Sequence, residues 1–226
     1  MIDIFYTVIT FSSMLILFKY FGKYHVNNLQ AIIVNYFTAG SLALFIANAD
    51  GIPIVFQHII SSPYIVSSLI IGLLFIITFN LLAYGTQKIG IAISTVANKM
   101  SMIIPVIIGI YLFKEASGII KLIGIILAIS AIYMTSTKGG KLSFDKKYVP
   151  IILLIFLGQG MADGTLSWAQ KFTITSDNTP LFFACTFLSA GILGSLFLLY
   201  ELIVKKIRLQ PKSCLLYTSP SPRDDR

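Results

Sequence analysis

Polar residues recur every three or four positions inside an otherwise apolar stretch near the middle of the chain. They are Ser94, Asn98, Ser101 and Pro105. On a helix these positions share one narrow face, because each residue advances the helix by about 100°. An amide and two hydroxyls on such a face either hydrogen-bond a neighbouring helix or line a water-filled cavity, since lipid offers them no partner. Helix packing and cavity lining are both open interpretations here.

Two residues of this stretch have further consequences. Pro105 has no backbone N–H, so the sequence predicts a kink that frees a carbonyl on the polar face. Lys99 follows Asn98 on the shoulder of that face, about 12 Å from the helix start at 1.5 Å per residue. Its side chain either extends to the membrane interface or acts as a cation within the span that attracts an anionic group.

A second polar series lies in the stretch "GQGMADGTLSWAQK". Gln159, Asp163 and Ser167 recur at intervals of four, with Gly160 and Gly164 as a pair of small residues beside them. Asp163 is the one carboxylate well inside a predicted span, and an ionisable residue there indicates a proton relay or a substrate contact. The alternative is a neutral, protonated Asp that holds two helices together. These two series form the candidate substrate pathway.

The remaining polar residues indicate less. Packing explains Asn35, Thr38, Thr78 and Asn80 as well as a role in the same interior does. His25 and His58 are isolated residues with no partner at ligand spacing, so we expect no metal site and no cofactor. An enzyme acting on lipids would need clustered His, Asp or Ser near one interface, and the sequence contains no such cluster. We therefore do not expect an enzyme.

The elements that must position these residues are membrane-spanning helices. Of the 226 residues 56% are hydrophobic and 12% charged, whereas soluble domains have roughly 45–50% and about 25%. Because lipid forbids unpaired backbone groups, each long apolar segment must be a helix. The sequence thus predicts an all-α polytopic membrane protein with seven transmembrane helices: Ile2–Phe18, Leu29–Asn48, Tyr64–Tyr84, Ile91–Phe113, Ser117–Ser136, Val149–Ala169 and Leu181–Val204.

The net charge of +8 comes from short gaps between these segments and not from a basic groove, so we expect no nucleic-acid partner. The gaps after odd-numbered segments hold most of the basic residues, which places those gaps in the cytoplasm and the N-terminus outside. The basic residues in these gaps are Lys19, Lys23, Lys88, Lys138, Lys141, Lys146, Lys147, Lys205, Lys206 and Arg208.

An internal repeat is present at an offset of about 151 residues. It matches the first predicted helix to the sixth and the second to the seventh. The repeated residues are Leu15, Phe21, Asn27, Ala39, Gly40 and Leu42, which recur as Leu166, Phe172, Asn178, Ala190, Gly191 and Leu193. Since each copy would contain five helices, an odd number, the second copy would be inverted in the membrane, as in many transporters.

Segments three to five resemble the EamA repeat of the drug/metabolite transporter superfamily. The resemblance covers roughly residues 1–212 and depends on small and aromatic residues that close helix three, on Pro105, on Glu115 just after helix four, and on Gly124 in "KLIGIILAISAIY". It implies ten helices in two inverted five-helix repeats around a central cavity. Residues 1–137 would form the first repeat and residues 138–212 the first two helices of a truncated second. Family members usually have both termini in the cytoplasm, so the orientation stays open.

The C-terminal segment 213–226, "SCLLYTSPSPRDDR", has a different character. Its composition permits a disordered cytoplasmic tail. It also resembles the translation of an adapter used in preparing sequencing libraries, so we expect it to be an artefact and the chain to be a fragment.

The sequence as a whole predicts a multi-pass permease of the cell inner (plasma) membrane. It would move a small organic metabolite or drug-like solute across the lipid bilayer by alternating access, with Asp163 as the candidate for coupling transport to protons. The alternative is a seven-helix receptor-like protein or another membrane protein that does not transport. Nothing in the sequence predicts an oligomeric state.

Overall fold

The structure, a computed structural model, describes residues 2–24, 26–111 and 146–204 together with isolated positions between 123 and 142. Almost all of the described chain is helical. The helices are α1 (Ile2–Lys23), α2 (Asn28–Ala49), α3 (Phe56–Ile60), α4 (Ile65–Lys88), α5 (Ile91–Met100), α6 (Ile103–Tyr111), α7 (Val149–Phe172) and α8 (Thr179–Val204). A two-residue antiparallel ladder pairs β1 (Thr137–Lys138) with β2 (Lys141–Leu142), and single 3₁₀ turns (Lys146–Tyr148 and Ser176–Asn178) precede α7 and α8.

The predicted all-α membrane fold is confirmed, but the helix count differs. Six helices of the described residues are long and apolar enough to cross a membrane, with α5 and α6 counted as one span. The count of seven is therefore one too many for this part of the chain. The segment predicted at Ser117–Ser136 accounts for the difference, because it lies outside the described residues apart from single helical positions such as Gly124. Glu115 and the tail 213–226 also lie outside them.

Two helices run further than hydropathy predicts. The first predicted segment ends at Phe18 and the third at Tyr84, whereas α1 continues to Lys23 and α4 to Lys88. Lysine ends an apolar run but is a good helix former. A lysine at a helix C-terminus also interacts favourably with the partial negative charge there. The helices therefore continue past the hydrocarbon boundary.

Helix α4 occupies the centre of the bundle. It packs against α1, α2, α5, α7 and α8, whereas α7 also contacts both halves of the broken helix formed by α5 and α6. Its residues Ile71, Ile76 and Leu82 are buried. Large apolar side chains on the outer surfaces, such as Phe45 of α2, are exposed, as expected for a protein whose surroundings are lipid.

The backbones of α4 and α8 touch at Gly72. A β-carbon at this position would lie 2.8 Å from the carbonyl oxygen of Thr186 and 3.0 Å from the amide nitrogen of Ala190. The hydroxyl of Ser189 fills the same space. It donates to the carbonyl of Thr186 in its own helix at 2.9 Å, and it lies 3.4 Å from the carbonyl oxygen of Ser68 on α4. Small residues that allow such close approach are the usual basis of helix association in membranes.

Helices α2 and α8 cross antiparallel through reciprocal contacts. Gly40 of α2 lies against Leu188, and Gly191 of α8 lies against Phe37. Both the glycines and their partners are related by the offset of 151 residues. Tyr36 and Phe187, which share that offset, stack on each other with ring centroids 6.2 Å apart. When two residues of α2 and α8 are in contact, their counterparts at the offset of 151 are in contact as well. Such reciprocal contacts are those expected around a local two-fold axis.

We expect Gly72→Ala to destabilise the bundle by about 1–3 kcal/mol, the usual range for overpacking. The added methyl group would meet backbone atoms of α8, which cannot rotate away. Thermal or SDS-induced unfolding in detergent micelles, followed by far-UV circular dichroism, measures the effect.

Gly124→Ala is the matched control, because among the described residues no other segment has an atom within 4 Å of the position its β-carbon would take. Its stability should stay the same or rise, since Ala is the better helix former. Equal losses in both variants would contradict the close contact at Gly72.

Candidate functional site

The interruption predicted around Pro105 is present one turn before the proline. Helix α5 ends at Met100 and α6 begins at Ile103. In a regular helix the carbonyl of Ser101 would accept from the N–H of residue 105, which proline lacks. It accepts instead from the amide of Ile104 at 2.9 Å, and Met102 donates to Lys99 at 3.3 Å. These tighter bonds turn the chain at the level of the polar face.

The polar face predicted on this helix points into the protein. Ser94, Asn98 and Ser101 are buried and Pro105 is half-buried. The hydroxyl oxygen of Ser94 lies against Gly85 of α4, 2.8 Å from where a β-carbon of that glycine would be. Within the described chain this hydroxyl has no hydrogen-bond partner.

Three of the predicted residues form a hydrogen-bonded series, which we call the amide relay: Asn98, Gln159 and Asp163. The Asn98 side-chain amide on α5 donates to Gln159 Oε1 on α7, at 3.1 Å. Gln159 Nε2 then donates to a carboxylate oxygen of Asp163, at 2.9 Å. The relay therefore connects two helices and ends on the carboxylate that the sequence singled out.

The two serines of the prediction stay outside this relay. The Ser101 hydroxyl donates to the carbonyl of Asn98, and the Ser167 hydroxyl donates to the carbonyl of Asp163 at 2.8 Å. Both bonds are made within the serine's own helix, a common way for hydroxyls to be satisfied in apolar surroundings. Spacing alone correctly placed them on the polar faces but did not distinguish them from the amides.

Lys99 reaches sideways to α1. Its ammonium nitrogen lies 4.0 Å from the centroid of the Phe11 ring, and Phe11 is near the middle of α1. The cation thus lies over an aromatic face in the middle of α1, although Lys99 itself is in the last turn of α5 and its side chain is exposed. Lys99 is also a positive charge that acts electrostatically on the Asp163 carboxylate.

The glycine pair beside Asp163 forms a notch for the second half of the broken helix. A β-carbon at Gly160 or Gly164 would clash with the side chains of Ile104 and Ile108, respectively. The two glycines are four residues apart, and so are the two isoleucines, so one face of α6 fits against one face of α7. The predicted pair of small residues therefore fixes α6 after the break and, through it, the position of Asn98 relative to Gln159.

One buried hydroxyl beside the relay was not distinguished by the sequence. Thr78 of α4 is fully buried, its oxygen points at Gly158 next to Gln159, and no described residue accepts or donates a hydrogen bond to it. The other polar residues considered with it differ. Asn80 bonds the carbonyl of Ile76 in its own helix, and Asn35 and Thr38 are exposed on α2. Thr78 differs from these three residues because a glycine of the facing helix, Gly158, lies against its hydroxyl.

This arrangement places one carboxylate, two amides and one ammonium group near mid-depth of the span. The hydroxyls of Ser94 and Thr78 are buried on the same helices and their neighbours, without a partner in the described part of the chain. Such groups can hold a proton or hydrogen-bond a polar solute. Within the described residues no group of three His, Cys, Asp or Glu side chains is placed to hold a metal ion.

Comparison with known proteins gives the family. Residues 1–137 match the model of the EamA-like transporter family. The chain belongs to this family. It is also similar to an uncharacterized protein of Haemophilus influenzae, with 28% identity over 142 residues. The match covers 59% of this chain and 47% of that protein, so the chain spans about half the length of the relative. No solved structure matches the chain.

The amide relay should couple α5 and α7 energetically. In a double-mutant cycle of Asn98→Ala and Gln159→Ala, we expect a favourable coupling energy of about 0.6 kcal/mol, the mean for hydrogen bonds between membrane helices. Unfolding of the four proteins in micelles measures it.

Asn80→Ala is the control for this cycle, because among the described residues its amide bonds the carbonyl of Ile76 in its own helix. Its coupling with Gln159→Ala should be close to zero. A coupling near zero for Asn98 and Gln159 as well would show that the relay does not hold the two helices together.

Proposed function

We propose that this protein is a permease that moves a small organic solute across a membrane by alternating access. The observation that carries the proposal is a polar relay with a carboxylate at mid-depth of a multi-pass protein of the EamA-like transporter family. Substrate sites near the bilayer midplane are typical of secondary transporters. The inner (plasma) membrane is the proposed location.

The proposed architecture is two inverted repeats, residues 1–137 and the segment beginning at residue 138. The reciprocal contacts of α2 and α8 support it, since Gly40 and Gly191 make equivalent contacts in opposite directions. Asn27 and Asn178 support it as well, because each directly precedes its helix, α2 or α8. In this proposal the α2–α8 crossing is the pivot about which the repeats rock.

The proposed solute site lies where α4, α5 and α7 meet. The buried hydroxyls of Ser94 and Thr78 face this junction without described partners, and a buried unpaired hydroxyl costs about 1–3 kcal/mol. A polar solute or water bound there would remove that cost. This favours a hydrogen-bonding metabolite over a purely apolar compound.

Asp163 is the proposed site of coupling. Its carboxylate accepts from Gln159 and is acted on by the Lys99 charge, so its protonation would change both the relay and the balance of charge within the span. A proton or a cationic group of the solute is the proposed occupant. Protonation of this one group would then bias the two access states.

A receptor-like membrane protein is the competing function, and transport itself distinguishes the two. Proteoliposomes that contain the protein are incubated with an isotope-labelled metabolite extract, and their contents are identified by mass spectrometry. The permease proposal expects at least one labelled polar metabolite to accumulate above empty liposomes. No accumulation of any metabolite, with or without a pH gradient, would contradict it.

For coupling, we expect Asp163→Asn to remove the dependence of uptake on the pH gradient, because the amide cannot take up a proton. Uptake of the metabolite found above is measured with and without an imposed gradient. Asp177→Asn is the matched control, since Asp177 is exposed in the turn before α8, and it should retain the dependence. Unchanged pH dependence in Asp163→Asn would end the proton-carrier role while leaving the permease proposal intact.

A further inference from the structure

The structure contains a second polar feature, far from the amide relay. A cavity of about 800 Å³ opens where the C-terminal ends of α1 and α4 meet the start of α5. Three lysines line it, Lys19 and Lys23 from α1 and Lys88 from α4, and none of its described lining residues is acidic. Among the described residues neither Lys19 nor Lys88 has a hydrogen-bond or ion-pair partner.

From this cavity we propose a binding site for a phosphate-type anion, such as the headgroup of an anionic phospholipid or free phosphate. Compact ammonium groups are frequent phosphate ligands. Basic pockets between membrane helices bind anionic lipid headgroups in the same way. The site is independent of the transported solute.

Stabilisation of helix ends does not account for all three charges. Each helix C-terminus carries roughly half a negative charge, so the ends of α1 and α4 together offset about one lysine. About two positive charges remain. Lys19 also lies more than one turn before the end of α1, where the effect of the helix end is already small.

A half-buried side chain that lines the cavity, Gln87, joins three helices. The Gln87 amide nitrogen donates to the carbonyl oxygen of Phe18 at 3.0 Å and to Asn28 Oδ1 at 2.7 Å. Gly22 lies directly against this side chain, since a β-carbon there would be 2.9 Å from Gln87 Cγ. These contacts join α1, α2 and α4, so the helices that carry the three lysines are held at fixed positions.

The cavity lies at the depth of a lipid headgroup. Ile16 and Tyr20 line it from the exposed face of α1, so an acyl chain could follow them into the bilayer. Tyr20 stacks on Tyr24 at 6.1 Å, and Lys23 lies over the Tyr24 ring. Tyrosines and lysines together mark the membrane–water interface.

The test measures thermal stabilisation of the purified protein in detergent. Phosphatidylglycerol, phosphatidylcholine and inorganic phosphate are titrated separately, and the melting temperature is followed by circular dichroism. Wild type should be stabilised by phosphatidylglycerol and not by phosphatidylcholine. Because lysines attract a nearby anionic surface, the combined Lys19→Gln, Lys23→Gln and Lys88→Gln variant should bind at least tenfold more weakly.

The matched control removes the same number of positive charges elsewhere in the chain: Lys138→Gln, Lys141→Gln and Lys147→Gln. It should bind like wild type. Replacing the cavity lysines by Arg should restore binding and separates loss of charge from failure to fold.

The separate titrations with phosphatidylglycerol and inorganic phosphate distinguish the source of the anion. Stabilisation by phosphatidylglycerol that phosphate does not reproduce supports a lipid headgroup, and equal stabilisation by phosphate supports a free anion. The proposal is overturned if neither anion stabilises wild type, or if the control triple variant loses as much affinity as the cavity variant.

Discussion

Close approach of helix backbones at glycines is the constraint on which this structure depends. In lipid, burial of apolar side chains gives helices little reason to associate, so packing and hydrogen bonds must hold them together. Gly72 brings α4 against α8, and Gly160 admits the side chain of Ile104 from α6. Each contact sets two helices at a fixed distance. The polar groups between those helices meet only because of it.

The break before Pro105 depends on the same constraint. A helix that loses a backbone bond in lipid must have its freed groups satisfied by neighbouring structure. Here the carbonyl of Ser101 is satisfied locally by Ile104, and the notch at Gly160 and Gly164 holds the following half-helix in place. The break therefore leaves Asn98 within reach of α7 without exposing the backbone.

Much of this was predictable from spacing, and the rest was not. Helical periodicity placed Asn98 and Ser101 on one buried face, and the single carboxylate marked Asp163. Periodicity says which residues share a face but not which helix lies opposite. It could not show that Ser101 bonds its own backbone while Asn98 bonds Gln159. Nor could it show that Lys99 lies over Phe11, since that contact joins α5 to α1 across 88 residues of chain. Thr78 becomes notable only because Gly158 lies opposite it.

Helix α1 connects the two polar features of the molecule. It is the least covered of the described spanning helices. Of the residues in its most apolar stretch 11% are buried, against 44% for α8. Helix α1 packs against α4 and α5, and two of its contacts involve polar groups of these helices: the ring of Phe11 lies under Lys99, and the carbonyl of Phe18 accepts from Gln87. The first lies beside the amide relay and the second beside the lysine cavity, and about two helical turns separate them. A shift of α1 that moved Phe11 away from Lys99 would thus also strain the Gln87 contact. An anion held by Lys19 and Lys88 would oppose that shift, because it would join α1 to α4 at the membrane surface.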